Sequence, residues 1–294
     1  MKKSTLVVVH CMPTEIEMLE RFMVRYRKSL SHLDSNDDVT LKVTLNLNPK
    51  LTDWDVSELK QDYFIKRFDT LFDDIKSVNE IQLGDSLMGT TQQKRESIEL
   101  DYDQFIFCDP DVITHELLLA TQIHTSYDMN GMYIISPSLP KWWDYTWNQL
   151  CHSDYVNRPY QYAYSDECIL NAEIQTVSDI TVKPISRIKF GCGMHTLYSK
   201  EFWKFIGIPE SLGGYGPEDT YAMQAASLAI KFGYDIKQFV LDGIYITEDL
   251  INKKCEIESK IVKVDNKSEL YKNGEDNSKI ELVNFGKKLY TFLR

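Results

Sequence analysis

Two aspartates separated by a proline, Asp109-Pro110-Asp111, interrupt the apolar run QFIFCDPDVI at 104–113. Carboxylates one residue apart offer hard oxygen ligands, the donors that Mn²⁺ and Mg²⁺ favour and that such ions combine with phosphate oxygens. The same spacing also suits an Asp-Pro turn that closes a strand, and it recurs at Asp53-Trp54-Asp55 and Asp101-Tyr102-Asp103. Only Asp109 and Asp111 directly follow a strand-like run, at its carboxyl end, which is where open α/β sheets bind ligands. A second constellation is FGCGMHTLYSKEFWKFIGIPESLGGYGPEDTYAM at 190–223, punctuated by Gly191, Gly193, Gly213, Gly214 and Gly216. Glycines let backbone approach a ligand closely. Glu218 and Asp219 fall in the first turn of the helix that follows, where negative charge is favoured. A glycine-rich loop running into an acidic helix start is the plainer reading of the same residues.

These side chains need a scaffold. TLVVVHCM (5–12) is a β-branched apolar run, as in a strand buried on both faces. The segment 13–30 has helical periodicity, with Ile16, Leu19, Phe22 or Met23, Tyr26 and Leu30 on one face and Pro13 and Thr14 at its start. VTLKVTLNLN (39–48) alternates like a strand, which completes a βαβ unit and makes α/β the expected class. Helices are expected over 63–75, 90–100, 199–208 and 218–233, strands over 104–108 and 131–139, and a strand or strand pair over 236–247. The polar stretch NKSELYKNGEDNSK (266–279) reads as an exposed loop.

The 294 residues carry Lys+Arg 33 against Asp+Glu 44, a net charge of -11. That balance argues against a general nucleic-acid binder, which needs clustered basic side chains. The six cysteines form no C-x-x-C pair and suggest free thiols in a reducing compartment. The apolar run after Met1 ends at Val9, short for a signal peptide, and no stretch is long enough for a membrane span. The expectation is a soluble, cytoplasmic protein, with peripheral membrane contact left open.

Together the two constellations resemble the GT-A glycosyltransferases, in particular the β-1,4-galactosyltransferase and galactosaminyltransferase-like families. The resemblance is carried by Asp109-Pro110-Asp111, then Phe190-Gly191-Cys192-Gly193, Phe202 to Gly207, Ile208-Pro209, and Gly214-Tyr215-Gly216-Pro217-Glu218-Asp219. It implies a Rossmann-like GT-A fold, a mixed central sheet flanked by helices, over residues 1–250. Within it, 1–112 would bind the nucleotide-sugar and 113–250 the acceptor, with an aromatic insertion at 138–188 and a C-terminal extension at 251–294. It further implies that Asp109 and Asp111 hold Mn²⁺ or Mg²⁺ against the diphosphate of a donor, a UDP-sugar foremost. Asp219 would be the general base of an inverting transfer, since an ordinary carboxylate is ionised at neutral pH and can take a proton from an attacking hydroxyl. Glu218, Tyr215 and Gly214 would hold a glycan or other hydroxyl acceptor, helped by Trp142 and Trp143 of the insertion. His10, Cys11, Pro13, Thr14, Asn46 and Asn48 would contact the nucleoside, and Lys94 and Arg95 the diphosphate. The family's third metal ligand, a histidine, has no counterpart in LDGIYITEDL (241–250), where Asp242, Glu248, Asp249 or water would substitute; His195 is another substitute.

Two other functions fit parts of the pattern. A sugar-phosphate nucleotidyltransferase shares the βαβ start, although HCMPTE (10–15) lacks the expected glycine-rich loop. A carbohydrate-binding protein without catalysis would have no use for a base at Asp219.

Overall fold

The computed structural model describes residues 2–12, 15–47, 61–83, 89–137, 179–185, 195–244, 246–248 and 267–292. Pro13, Thr14, Asn48, Trp142, Trp143, Asp249 and the segment 190–193 lie outside the described residues.

The apolar runs and the alternating run 39–48 alike become strands buried on both faces: every residue of β1 (Thr5–Cys11), β2 (Val39–Leu47) and β4 (Gln104–Cys108) is buried. Between them come α1 (Ile16–Leu30), α2 (Gln61–Asp69), β3 (Ser77–Leu83) and α3 (Thr90–Ser97). The four strands are parallel in the order β3-β2-β1-β4. The chain continues through β5 (Val112–Thr114), α4 (Leu118–Ser126), β6 (Met132–Pro137), β7 (Thr181–Ile185), β8 (Thr196–Ser199), α5 (Lys200–Ile206), α6 (Glu218–Lys231), β9 (Ile236–Asp242), β10 (Ile246–Glu248) and α7 (Lys267–Phe292). The main sheet has eight strands, β3-β2-β1-β4-β8-β6-β9-β7. β8 runs antiparallel to both β4 and β6, so strand direction changes beside the end of β4. β5 and β10 form a separate antiparallel pair.

Strand alternation divides the core in two. Val7, Val9 and Cys11 face one side, packed with Leu19, Phe22 and Ile123 from α1 and α4. Leu6 and Val8 face the other, with Phe202 and Trp203 of α5, Ala222 and Ala226 of α6, and Phe285 and Leu289 of α7. The fold is mixed α/β, an eight-stranded sheet with helices on both faces. No helix among the described residues is long and apolar enough to cross a membrane.

Two expectations need correction. The expected loop 266–279 is the start of α7. Its Asn, Gly and Ser residues look like loop punctuation, yet Leu270, Gly274, Ser278, Leu282, Phe285 and Leu289 fall three or four apart and make one helical stripe. The helix expected over 63–75 ends at Asp69; turns follow, with Leu71 N and Ile75 N donating to the carbonyls of Phe68 and Phe72 at 3.1 and 3.2 Å. The run 236–247 takes the strand-pair form of its expectation, broken at Gly243, whose φ of 96° an L side chain resists.

Among the described residues β7 is the last strand on its side of the sheet. It pairs with β9, carries Lys183 and Pro184, and is exposed along most of its length. Lys183 forms an ion pair with Asp242 at the end of β9.

Candidate functional site

β4 ends at Cys108, and the chain turns at once. Val112 N donates to Asp109 O at 3.2 Å, and β5 starts at Val112. Asp109-Pro110-Asp111 is therefore a turn, and it stands at the carboxyl end of a parallel strand. Asp111 is 7% exposed, a depth at which a carboxylate needs compensation; Asp109 is half-buried. The β5–β10 register sets Glu248 opposite Val112, next to Asp111 along the chain.

The glycine-rich loop is held against this turn by α3. Thr91 N donates to Gly214 O at 2.9 Å, Gly216 N donates to Thr91 Oγ1 at 2.9 Å, and Thr91 Oγ1 donates to Glu218 Oε2 at 2.9 Å. Lys94 Nζ donates to Glu218 Oε1 at 2.5 Å, and both side chains are under a tenth exposed. Arg95 donates to the carbonyls of Ile208, Pro209 and Gly213 at 2.9–3.0 Å. A short polar helix is thus buried because its polar atoms are the loop's partners.

Lys94 is the electrostatic centre. Burial alone would depress its pKa, but the carboxylates of Glu218, Asp109 and Asp219, in that order, together with the hydrogen bond to Glu218, raise it. The ammonium remains charged, with its stem beside the Phe107 ring, 5.6 Å from Nζ to the centroid. The acidic turn after β4 and the acidic start of α6 thereby meet around one buried cation. Asp219 is partly exposed, and its Oδ1 accepts from Thr220 N at 2.6 Å.

The expected nucleoside residues divide by strand alternation. His10 and Asn46 lie under the start of α3, and a Cβ on Gly89 would come within 3.1 Å of Asn46 Nδ2 and 3.4 Å of His10 Nε2. His10 Nδ1 lies 3.1 Å from Thr90 Oγ1, while Nε2 is buried without a hydrogen-bond partner among the described residues. Burial first, then the charge of Lys94, brings His10 down to about 3, so the ring is neutral. Cys11 turns to the other face. Its side chain is in the apolar core with Sγ donating to Met12 O at 3.2 Å, so any ligand contact from Cys11 is restricted to main chain.

Two other assignments change. Arg95 is directed at the loop carbonyls and Glu218 at Lys94 and Thr91, so both build the loop. Of the substitute metal ligands, His195 is buried with Nδ1 2.9 Å from Gln122 Oε1, and Asp242 is paired with Lys183. Among the described residues no third His, Cys, Asp or Glu joins Asp109 and Asp111 in a three-ligand group. Two carboxylates fit Mg²⁺ or Mn²⁺ that keeps the rest of its shell for phosphate and water. The described three-ligand cluster, Asp34, Asp37 and His124, is at the other end of the sheet, where Thr5 N donates to Asp38 O at 2.8 Å.

Sequence reasoning passed over Thr91 and Gly89, and it placed Tyr271 and Gly274 in a loop. The Thr90-Thr91 pair at the start of a helix was the available signal for the first.

No family model matches the chain, and no curated protein does. Solved structures with a similar course include Staphylococcus aureus TarS 1–349, at a TM-score of 0.45 and 11% identity over 89% of this chain and 65% of that one. Another is the mannosyltransferase PcManGT from Pyrobaculum calidifontis, in complex with GDP-Man and Mn²⁺, at 0.45 and 11% over 85% and 56%. A third is a glucose-1-phosphate thymidylyltransferase from Bacillus anthracis, at 0.43 and 9% over 88% and 94%. This chain spans less than two thirds of the first two. Likeness at this depth includes transferases and a nucleotidyltransferase alike and does not separate them.

Proposed function

We propose that the protein is a metal-dependent glycosyltransferase, which moves a sugar from a nucleotide-diphosphate donor, a UDP-sugar foremost, to an acceptor hydroxyl with inversion. The observation that carries this reading is the convergence of Asp109 and Asp219 on the buried charge of Lys94. The carboxylate pair after β4 and the Asp219 carboxylate at the start of α6 would supply the two functions such a transfer needs.

Asp109 and Asp111 would hold Mn²⁺ or Mg²⁺, which, when bound, neutralises charge on the leaving diphosphate. Lys94 adds a fixed positive charge beside Asp109, favourable to the same phosphates and requiring no reorganisation. Asp219 receives the proton of the acceptor hydroxyl as its oxygen attacks the anomeric carbon. Glu218, Thr91 and Arg95 position the loop that leads into α6, whose first turn carries Asp219. His10 and Asn46 line the nucleoside side, where a neutral imidazole offers Nε2 to a base or ribose.

A thermal-shift series with UDP, GDP, CDP and TDP, each with and without Mn²⁺, tests the donor site in wild type and Asp111→Ala. A ligand at a hundred times its Kd stabilises the native state by about 2.7 kcal/mol. The expected result is a rise with one base, dependent on Mn²⁺ and lost in Asp111→Ala. No shift with any nucleotide refutes the reading.

A further inference from the structure

The C-terminal helix α7 meets the glycine-rich loop in a way that proton transfer does not require. Gly274 packs on Gly216 so closely that a Cβ on it would stand 2.9 Å from Gly216 Cα and 3.2 Å from Leu212 O. Asn277 Nδ2 donates to Ser211 O at 2.6 Å, and Ser211 Oγ donates to Glu281 Oε1 at 2.7 Å. Phe285 and Leu289, 8% and 1% exposed, anchor the rest of the helix in the core. The rotation and height of α7 are therefore fixed by contacts other than those of Tyr271.

That fixed helix carries Tyr271 to Tyr215, with ring centroids 6.0 Å apart and planes inclined at 55°. Tyr271 nevertheless stays 42% exposed. A helix already anchored by glycine contact and two apolar side chains has no need of a half-exposed aromatic ring for its own packing. Burial, and after it the charges of Asp219, Tyr215, Glu275 and Glu218, raise the Tyr271 hydroxyl pKa, so the ring stands in the field of the carboxylates that open α6. An aromatic face open to water, with carboxylates at its rim, suits a molecule with an apolar C–H face and a border of hydroxyls. A pyranose is such a molecule.

We propose that Tyr271 on α7 adds a second ring to the sugar contact that the resemblance implies for Tyr215, so that α7 itself helps to hold a pyranose beside Asp219. The Tyr215 contact rests on the transferase reading; the Tyr271 contact does not.

Saturation-transfer difference NMR on the full chain reads the site directly. The probes are the methyl glycosides of glucose, galactose and N-acetylglucosamine, each with and without UDP and Mn²⁺. Saturation of the ring C–H protons is expected in wild type and Tyr271→Phe. In Tyr271→Ala it falls by roughly three- to tenfold, the scale of one aromatic contact. Tyr271→Gln, a helix former without a ring, repeats the test should the alanine variant melt early. An undiminished signal in folded Tyr271→Ala or Tyr271→Gln overturns the proposal, as does absence of saturation by every glycoside in wild type. If glycosides bind through Tyr271 while no nucleotide shifts the melting temperature, the Tyr271 contact stands and the transferase reading falls.

Discussion

At the amino ends of the parallel strands, Asp37 is enclosed by donors. Tyr127 Oη donates to its Oδ1 at 2.5 Å with Lys2 at 3.3 Å, while Asp34 N donates to Oδ2 and His124 Nε2 lies beside it, both at 2.9 Å. Burial would raise this carboxyl, but the four donors outweigh it and bring it down to about 2. At the carboxyl ends the arrangement is inverted: a buried cation, Lys94, is surrounded by carboxylates of the β4 turn and of α6. The first cluster draws its partners from the chain's amino end, the α1–β2 connection and α4, and satisfies itself. The second joins the turn after β4 to the start of α6 and leaves Asp219 partly exposed. A saturated polar cluster fastens; the proposed function gives the second one binding and chemistry to do. The two ends should accordingly respond to substitution in opposite ways.

The largest expected effect is Asp219→Asn. With the donor named by the thermal-shift series, turnover falls by roughly 10²–10⁴-fold, the usual worth of a general base. The nucleotide shift and the urea midpoint stay at wild-type values. Unchanged turnover would remove Asp219 from the chemistry. Next comes Lys94→Met, which leaves the Glu218 carboxylate buried without its cation. Breaking such a pair costs about 3–5 kcal/mol, and the double change Lys94→Met/Glu218→Leu recovers most of it. Urea unfolding of the single and double variants measures both, and a single-variant loss below about 1 kcal/mol would show the pair to be solvated.

Asp37→Asn is the matching change at the other end. It removes the charge from a bonded carboxylate, and its expected cost is roughly 1–3 kcal/mol of stability, with turnover of the folded protein unaltered. Since the folded-state pKa is lowered, the Asp37 contribution is present above the unfolded value of about 3.9 and is lost as pH falls through about 2. A further effect accumulates over pH. His10 and His195, brought down to about 3 and about 4 by burial, stay neutral in the folded protein while the unfolded chain takes up their protons near pH 6.5. Their stabilisation is present above about pH 6.5 and erodes as pH falls towards 4, by about 1.4 kcal/mol per pH unit for each fully titrating histidine. Urea midpoints from pH 7 to 4.5 trace that slope, and His195→Gln should flatten roughly half of it.

Most of the parallel half was legible because β1 and β4 are apolar runs, β2 alternates and α1 has an unbroken apolar stripe. The position of Asp109 and Asp111 directly after a strand was legible as well. What escaped depends on tertiary contact. Gly274 costs a helix stability in isolation and reads as a break, but the approach of Gly216 leaves no room for any other residue. β3 is short and half polar, with Asn79 and Glu80 at its centre, and only its pairing with β2 makes it a strand. The roles of Arg95 and Glu218 were misread for the same reason, since a charged side chain near a motif does not announce that its partner is a backbone carbonyl or another charge of the same site.

The β7 edge also limits how copies of the protein meet. A strand with an open side is a template on which another chain can lay its own. Proline in such a position is tolerated with its missing N–H turned towards solvent, and a lysine beside it would have to surrender its hydration on contact. With Lys183 and Pro184 adjacent in β7, edge-to-edge stacking on that side has no continuous ladder to follow. Crowded molecules are expected to slide past one another there without nucleating fibrils.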